Sequence, residues 1–335
     1  MSRRIITLIA TALGLALLAW QIEKIGLDAI LDGLRRLGPT GLALILGASA
    51  IRQLCRALAW TLLMGAREQG ATGQGAVPLF SALAATISGD AIGNLTPLSL
   101  LVSEPAKAMY VGAHIPPPRA LAALAAENFF YSLSVAVTVL LGVAVLFVAF
   151  PVPDWLQTAS LILVVGMAAV LVAALWLIAK EPALVSSTLT RLLKIGGAKA
   201  PPYLRLVDKI RELETSSYSF VRSKPGRLTA VVACEIGFHV FSVAETWLTL
   251  VFLGIHSLAL AFVLDTVQRV INVVFRVVPL KIGVDEVGSG LTSAALGYGS
   301  ALGVTMGVIR KIRVLIWAGL GLVLLGTRSR ERSAG

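Results

Sequence analysis

The chain has 335 residues, 57% apolar and only 14% charged, with 29 Lys+Arg against 18 Asp+Glu for a formal net charge of +11. Ordinary soluble domains hold about 45–50% apolar and 25% charged residues, so a mean hydropathy of +0.85 over the whole length excludes a water-soluble globule. The basic excess flanks apolar runs rather than covering a polar surface, which argues for membrane topology and against nucleic-acid binding.

In chain order, Ser2-Arg3-Arg4 precede an uncharged run at 5–22. It is longer than a signal-peptide core and has no small-x-small cleavage site before Gln21, so it reads as an uncleaved first span. Residues 23–37 set Ile25, Leu27, Ile30, Leu31 and Leu34 on one side and charges on the other, the pattern of an interfacial helix. Apolar runs at 39–66, 120–150, 156–179, 228–254 and 301–326 are each long enough to cross about 30 Å of hydrocarbon. The segment 180–227 carries ten basic residues and the connection 151–154 none. The positive-inside rule therefore puts the first in the cytoplasm and the second outside. Within the basic segment, 205–227 reads either as a basic amphipathic stretch on anionic headgroups or as an ordinary topogenic loop. The expected fold is an all-α polytopic membrane protein of a bacterial-type inner membrane. It forms one transmembrane domain over 1–335, with six full spans and both termini cytoplasmic.

Two further regions, 77–113 and 258–300, are apolar but broken by charges and prolines. The first holds Asp90, Asn94, Pro97, Glu104, Pro105 and Lys107; the second holds Asp265, Arg269, Asn272, Arg276, Pro279, Lys281, Asp285 and Glu286. Such residues are tolerated at membrane depth where the backbone is buried in protein or lines a wet cavity. Both regions read as re-entrant helix–break–helix hairpins. Thr96-Pro97-Leu98-Ser99-Leu100-Leu101-Val102-Ser103-Glu104 aligns without gaps on Val278-Pro279-Leu280-Lys281-Ile282-Gly283-Val284-Asp285-Glu286. The charge rule sends the spans before the two hairpins in opposite directions, so the expectation is two inverted-topology repeats, about 39–150 and 226–326. Many secondary transporters build a central site in that way.

At these residues the chain resembles a known family. The segments are Gly93-Asn94-Leu95-Thr96-Pro97, Ser103-Glu104, Asp265-Thr266-x-x-Arg269, Arg276-x-x-Pro279-x-x-x-Gly283-Val284-x-Glu286 and Arg310-Lys311-x-Arg313. Together they look like the lysylphosphatidylglycerol synthase transmembrane family, also described as flippase-like integral membrane proteins, and the likeness covers nearly the whole chain. The second half looks closest to the subgroup associated with hopanoid biosynthesis. Members commonly carry Pro-Gly-x-x-Gly through the second break, where this chain has Leu280 after Pro279. Their first break commonly carries glycine, where this chain reads Leu98-Ser99-Leu100-Leu101. No aminoacyl-transferase domain follows the last apolar run, so the resemblance implies lipid translocation or an accessory role rather than lysyl-lipid synthesis.

The charged set along the expected path is Arg52, Arg56, Asn94, Glu104, Lys107, Glu127, Arg269, Arg276, Glu286, Arg310 and Arg313, with Pro97, Pro279 and Gly283 as backbone breaks. Arg52 and Arg56 share one helix face, and a guanidinium at a helix centre costs about 2.5–3.5 kcal/mol even on the mild insertion scale. They therefore need either acidic partners or a lipid phosphate. Glu104 and Glu286 read either as a proton or substrate site or as caps on broken-helix N–H groups. Glu127 and Arg310 lie one span later in the two halves with opposite signs, which suggests a contact between them. Glu235 and His239 share a face, a spacing that metals use, but no His-Glu-x-x-His or Asp-rich motif accompanies them. Cys55 and Cys234 lie in apolar stretches and offer neither a disulfide framework nor a cysteine zinc site.

No catalytic motif and no cofactor motif is present. The leading expectation is a transporter moving a lipid with a polar or anionic headgroup between leaflets. The alternatives are a membrane-embedded lipid-modifying enzyme using Glu104 or Glu286 as base, and a non-catalytic subunit of a lipid or envelope pathway. Membrane lipids are the expected partners, and a homo-oligomer stays open.

Overall fold

A computed structural model describes residue 23 and residues 27–64, 76–96, 99–180, 225–275 and 278–334. The predicted first span, Pro97, Arg276 and most of the basic segment (181–224) lie outside these. Among the described residues the chain is helical and without strands: α1 (Leu27–Met64), α2 (Leu79–Leu95), α3 (Ser99–Tyr110), α4 (Pro117–Ala149), α5 (Asp154–Lys180), α6 (Pro225–Phe252), α7 (Leu258–Val274), α8 (Val284–Ala295) and α9 (Ser300–Ala334). Four stretches are long and apolar enough to cross a membrane: Ile30–Met64, Pro117–Ala149, Asp154–Ala174 and Gly226–Phe252. They coincide with four of the spans expected from the sequence. α9 has the length, but Arg310, Lys311 and Arg313 lie within it.

The amphipathic segment and the second apolar run form one helix with a bend. Proline pushes the residue before it out of the α region, and Gly38, ahead of Pro39, takes φ 57° and ψ −175°, which only glycine adopts without strain. Leu34 and Leu37 of the short arm pack with Phe252, Leu253 and Ile309. Prolines also start α4, where Pro117 sits at the first turn and its missing N–H leaves nothing unpaired. Ser257 starts α7 by accepting a hydrogen bond from the Leu260 N–H at 3.2 Å.

Both irregular regions fold as helix–break–helix. α2 and α7 have 17 residues each, α3 and α8 have 12 each. The Lys107 side chain lies over Gly89, and Ile271 lies over Gly288, so each pair folds back on itself about its break. The second break is the longer: a 3₁₀ turn at Pro279–Lys281 precedes Gly283, which has φ 79°. Leu280 and Lys281 both stand at φ 51°, a region that costs a residue with a side chain about 1–2 kcal/mol. Leu280 fills the place where the sequences this chain resembles usually carry glycine. Because the breaks differ in length, the gapless alignment does not extend into the helices. Glu104 is the sixth residue of α3, whereas Glu286 is the third of α8.

The two parts of the chain interlock. α1 and α6 run antiparallel side by side: Leu37 clusters with Phe252, Cys55 lies beside Gly237, and Ala59 packs with Val231 and Cys234. Each hairpin leans on the far half. Thr266, the ninth residue of α7, seats on Gly142 of α4, and Ile87, the ninth residue of α2, meets Gly321 of α9. Glycines allow these backbones to approach closely, the usual device for helix packing where water does not drive association. α5 touches mainly α4 and leaves Leu161, Ile162, Val165 and Val172 exposed on its outer face.

Candidate functional site

The charges at depth come from the middle turns of the long helices. Arg56 on α1 makes a two-pronged contact with Glu127 on α4: Nε donates to Oε1 at 2.7 Å and Nη2 to Oε2 at 2.8 Å. This fork geometry gives the strongest kind of side-chain pair. Arg313 on α9 pairs with Glu245 on α6: Nη1 donates to Oε2 at 3.0 Å and also reaches Ser49 Oγ at 3.3 Å, while Nε stands 2.9 Å from Oε1 without a hydrogen bond to it. On α7, Arg269 and Asp265 are one turn apart, and Nε donates to Oδ2 at 2.9 Å. The other oxygen of Asp265 accepts from Ser242 Oγ at 2.7 Å.

Arg52 is held differently. It donates to Ser242 Oγ at 3.3 Å, and its Nη2 stands 3.8 Å from Glu245, a carboxylate already paired with Arg313. Its Nε is buried with no acceptor among the described residues. The guanidinium groups of Arg52, Arg269 and Arg56 lie 5.3, 5.7 and 6.0 Å from the centroid of the Phe238 ring, and Arg56 also covers Tyr131 at 4.5 Å. An aromatic face attracts cations and holds them without neutralising them. Three like charges thus converge on one ring, and the loosest of them, Arg52, has an Nε that no acceptor among the described residues meets.

The hairpins carry two further clusters. In the first, Lys107 on α3 is 2% exposed, with Nζ 2.8 Å from Asp90 and 3.1 Å from Glu104. The second oxygen of Glu104 is buried and unpartnered among the described residues. Asn94 is half-buried near the end of α2. In the second hairpin, Glu286 accepts the Gly283 N–H at 2.8 Å and is fully buried, so it closes the start of α8. Asp285 receives Arg310 at 2.7 Å and Lys311 at 2.9 Å, and Arg310 also reaches Ser289 at 3.0 Å. Two acidic residues in the first turn also suit the helix dipole.

One expectation is corrected by this geometry. Glu127 does not meet Arg310: each is satisfied inside its own half, by Arg56 and by Asp285. Glu104 and Glu286 share no ion partner among the described residues, since Lys107 holds one and Lys311, at 3.5 Å, the other. Glu235 and His239 do share a face, and both reach Ser134 on α4. No group of three or more His, Cys, Asp or Glu able to hold a metal occurs among the described residues. Sequence reasoning left out Asp265, Asp285, Glu245, Ser242 and Phe238 from the site. Asp265 was findable from its four-residue spacing to Arg269, but nothing local marks Ser242 or Phe238.

The fold and its buried charge pairs define a multi-pass helical membrane protein with a polar centre. The sequence profile of the lysylphosphatidylglycerol synthase TM region matches residues 7–322, and the chain belongs to that family. No curated protein and no solved structure matches it.

Proposed function

We propose that the protein is a transporter that moves a lipid with a polar or anionic headgroup between the leaflets of a bacterial-type inner membrane. The observation that carries this reading is the convergence of Arg52, Arg56 and Arg269 on Phe238, with Arg52 weakly paired. Arg52 lies near the middle of the straight part of α1, and Phe238 near the middle of α6. A phosphate there would receive hydrogen bonds from a guanidinium whose Nε otherwise lacks an acceptor among the described residues, while the acyl chains remain in the bilayer.

The reading includes six full spans, with 5–22 and α9 completing the four, both termini cytoplasmic, and two inverted repeats. Antiparallel α1 and α6 and the reciprocal seating of Thr266 on Gly142 and Ile87 on Gly321 support a two-fold relation between the halves. Inverted repeats around a midplane charge site allow alternating access. The likeness of the second half to hopanoid-associated sequences fits a lipid cargo.

The test is reconstitution into phosphatidylcholine liposomes with fluorescent phosphatidylglycerol, phosphatidylethanolamine or phosphatidylcholine in trace amount. Faster exchange of phosphatidylglycerol than in protein-free liposomes, slowed by Arg52→Gln, is the expected result. Equal rates with and without protein for every lipid would overturn the reading.

A further inference from the structure

Ser134 of α4 stands between two titratable side chains of α6. Its Oγ is 2.8 Å from His239 Nε2, 3.2 Å from Glu235 Oε2 and 2.8 Å from the Tyr131 carbonyl oxygen on its own helix. Glu235 and His239 are 3% and 8% exposed. Each keeps one further buried polar atom, Glu235 Oε1 and His239 Nδ1, with no partner among the described residues. No cation among the described residues lies within ion-pair distance of Glu235, unlike Glu127, Glu245 and Asp265.

A serine hydroxyl has one proton and two lone pairs, so the three contacts can be counted. With Glu235 ionised, Ser134 donates to Glu235 and accepts from the His239 Nε2–H, and the contact with the Tyr131 carbonyl is forgone. With Glu235 protonated, Glu235 donates to Ser134, His239 donates to Ser134, and the serine proton turns to the Tyr131 carbonyl. All three contacts are then hydrogen bonds. One proton gained or lost is accommodated by rotation of one hydroxyl, with no new group required.

We propose that Glu235, Ser134 and His239 form a proton-binding site, and that it couples the lipid movement proposed above to a transmembrane proton gradient. The charge balance gives the direction. Around this site stand Arg52, Arg56 and Cys55 from α1, Glu127 and Tyr131 from α4, Arg269 and Asp265 from α7, and Cys234 from α6; Arg313 of α9 and Glu245 complete the network. Four arginines and Lys107 face Glu127, Glu245, Asp265, Glu235, Asp90 and Glu104. With Glu235 ionised the set carries one negative charge in excess; with Glu235 protonated it is neutral, and so more receptive to an anion. A proton therefore prepares the arginines around Phe238 for an anionic headgroup, and loss of the proton releases it. By linkage the reverse holds too: the headgroup tightens proton binding. The site also joins the two halves, α4 supplying the hydroxyl and α6 the acid and the imidazole.

The coupling rests on the transporter reading, whereas the proton site does not, and the experiment separates them. Infrared difference spectra of the purified full chain, taken across a pH titration, should show a reversible protonated-carboxyl band that is lost in Glu235→Gln and shifted in Ser134→Ala. Ser134→Ala keeps the carboxyl and serves if Glu235→Gln fails to fold. In liposomes, an imposed proton gradient should raise the rate of fluorescent phosphatidylglycerol transfer by up to about tenfold per pH unit, the ceiling for one linked proton. Proton uptake, read by an entrapped pH dye, should accompany it. Absence of the band, or its persistence in Glu235→Gln, would overturn the proton site. Phosphatidylglycerol transfer indifferent to the gradient in active wild type would overturn the coupling. A titrating band in a protein that moves no lipid would overturn the transporter reading and the coupling, and leave the site standing.

Discussion

Arg52 and Arg56 sit one helical turn apart on α1 and yet are bound very unequally. Arg56 has a full carboxylate fork from Glu127, whereas Arg52 shares Glu245 with Arg313 at 3.8 Å. Removing one member of a buried pair leaves a charge without compensation and costs about 3–5 kcal/mol. Arg56→Gln and Glu127→Gln should each lower detergent-phase unfolding stability by that order, and the double variant should recover most of it. Arg52→Gln should cost about 1 kcal/mol or less, in keeping with a weak pair, while lipid transfer falls. Equal destabilisation by Arg52→Gln and Arg56→Gln would mean that Arg52 is scaffold. Which residues carry charge into the helix bundle was legible: an arginine inside an apolar run stands out by its transfer cost alone. Which residues pair was not. Opposite signs at matching places in the two halves suggested Glu127 with Arg310, but pairing follows tertiary distance, and each finds its counter-charge on a nearer helix of its own half.

At the scale of helices, contact is set by small residues more than by apolar bulk. A methyl group on Gly303 of α9 would collide with the backbone of Ser289 and Gly290 on α8, while one on Gly166 of α5 meets nothing within 4 Å. Gly303→Ala should therefore destabilise by about 1–3 kcal/mol through overpacking. Gly166→Ala should stabilise by about 0.5–1 kcal/mol, since alanine loses less backbone freedom in a helix. Denaturant unfolding of the two variants side by side checks both signs. The hairpins themselves could be read from the sequence, because proline between polar residues in an apolar run permits few other structures. Their lengths could not. The extra residues of the second break form a 3₁₀ turn with two left-handed residues, and Leu280 gives no local sign of such a backbone.

For the whole molecule, the alternation of spans predicts sidedness. A cysteine introduced at position 153 should react with an impermeant maleimide added outside cells, and one at position 200 only after permeabilisation. The reverse pattern would invert the proposed orientation. The four long apolar helices were visible in the sequence, whereas the interlocking of halves through Gly142 and Gly321 was not, since glycine in a helix leaves no trace of which neighbour it admits. The distribution of ion pairs has a further consequence, for synthesis. Arg56–Glu127 and Lys107–Asp90 close within the first half, and Arg313–Glu245, Arg310–Asp285 and Arg269–Asp265 within the second. As the chain emerges from the ribosome, the first half can neutralise most of its membrane-depth charge before the second is translated. Among the described ion pairs, only that of Arg52 must wait for α6. Two polypeptides, residues 1–180 and 225–335, expressed from separate messages should therefore each insert and then co-purify, and Arg52→Gln should weaken their association more than the insertion of either.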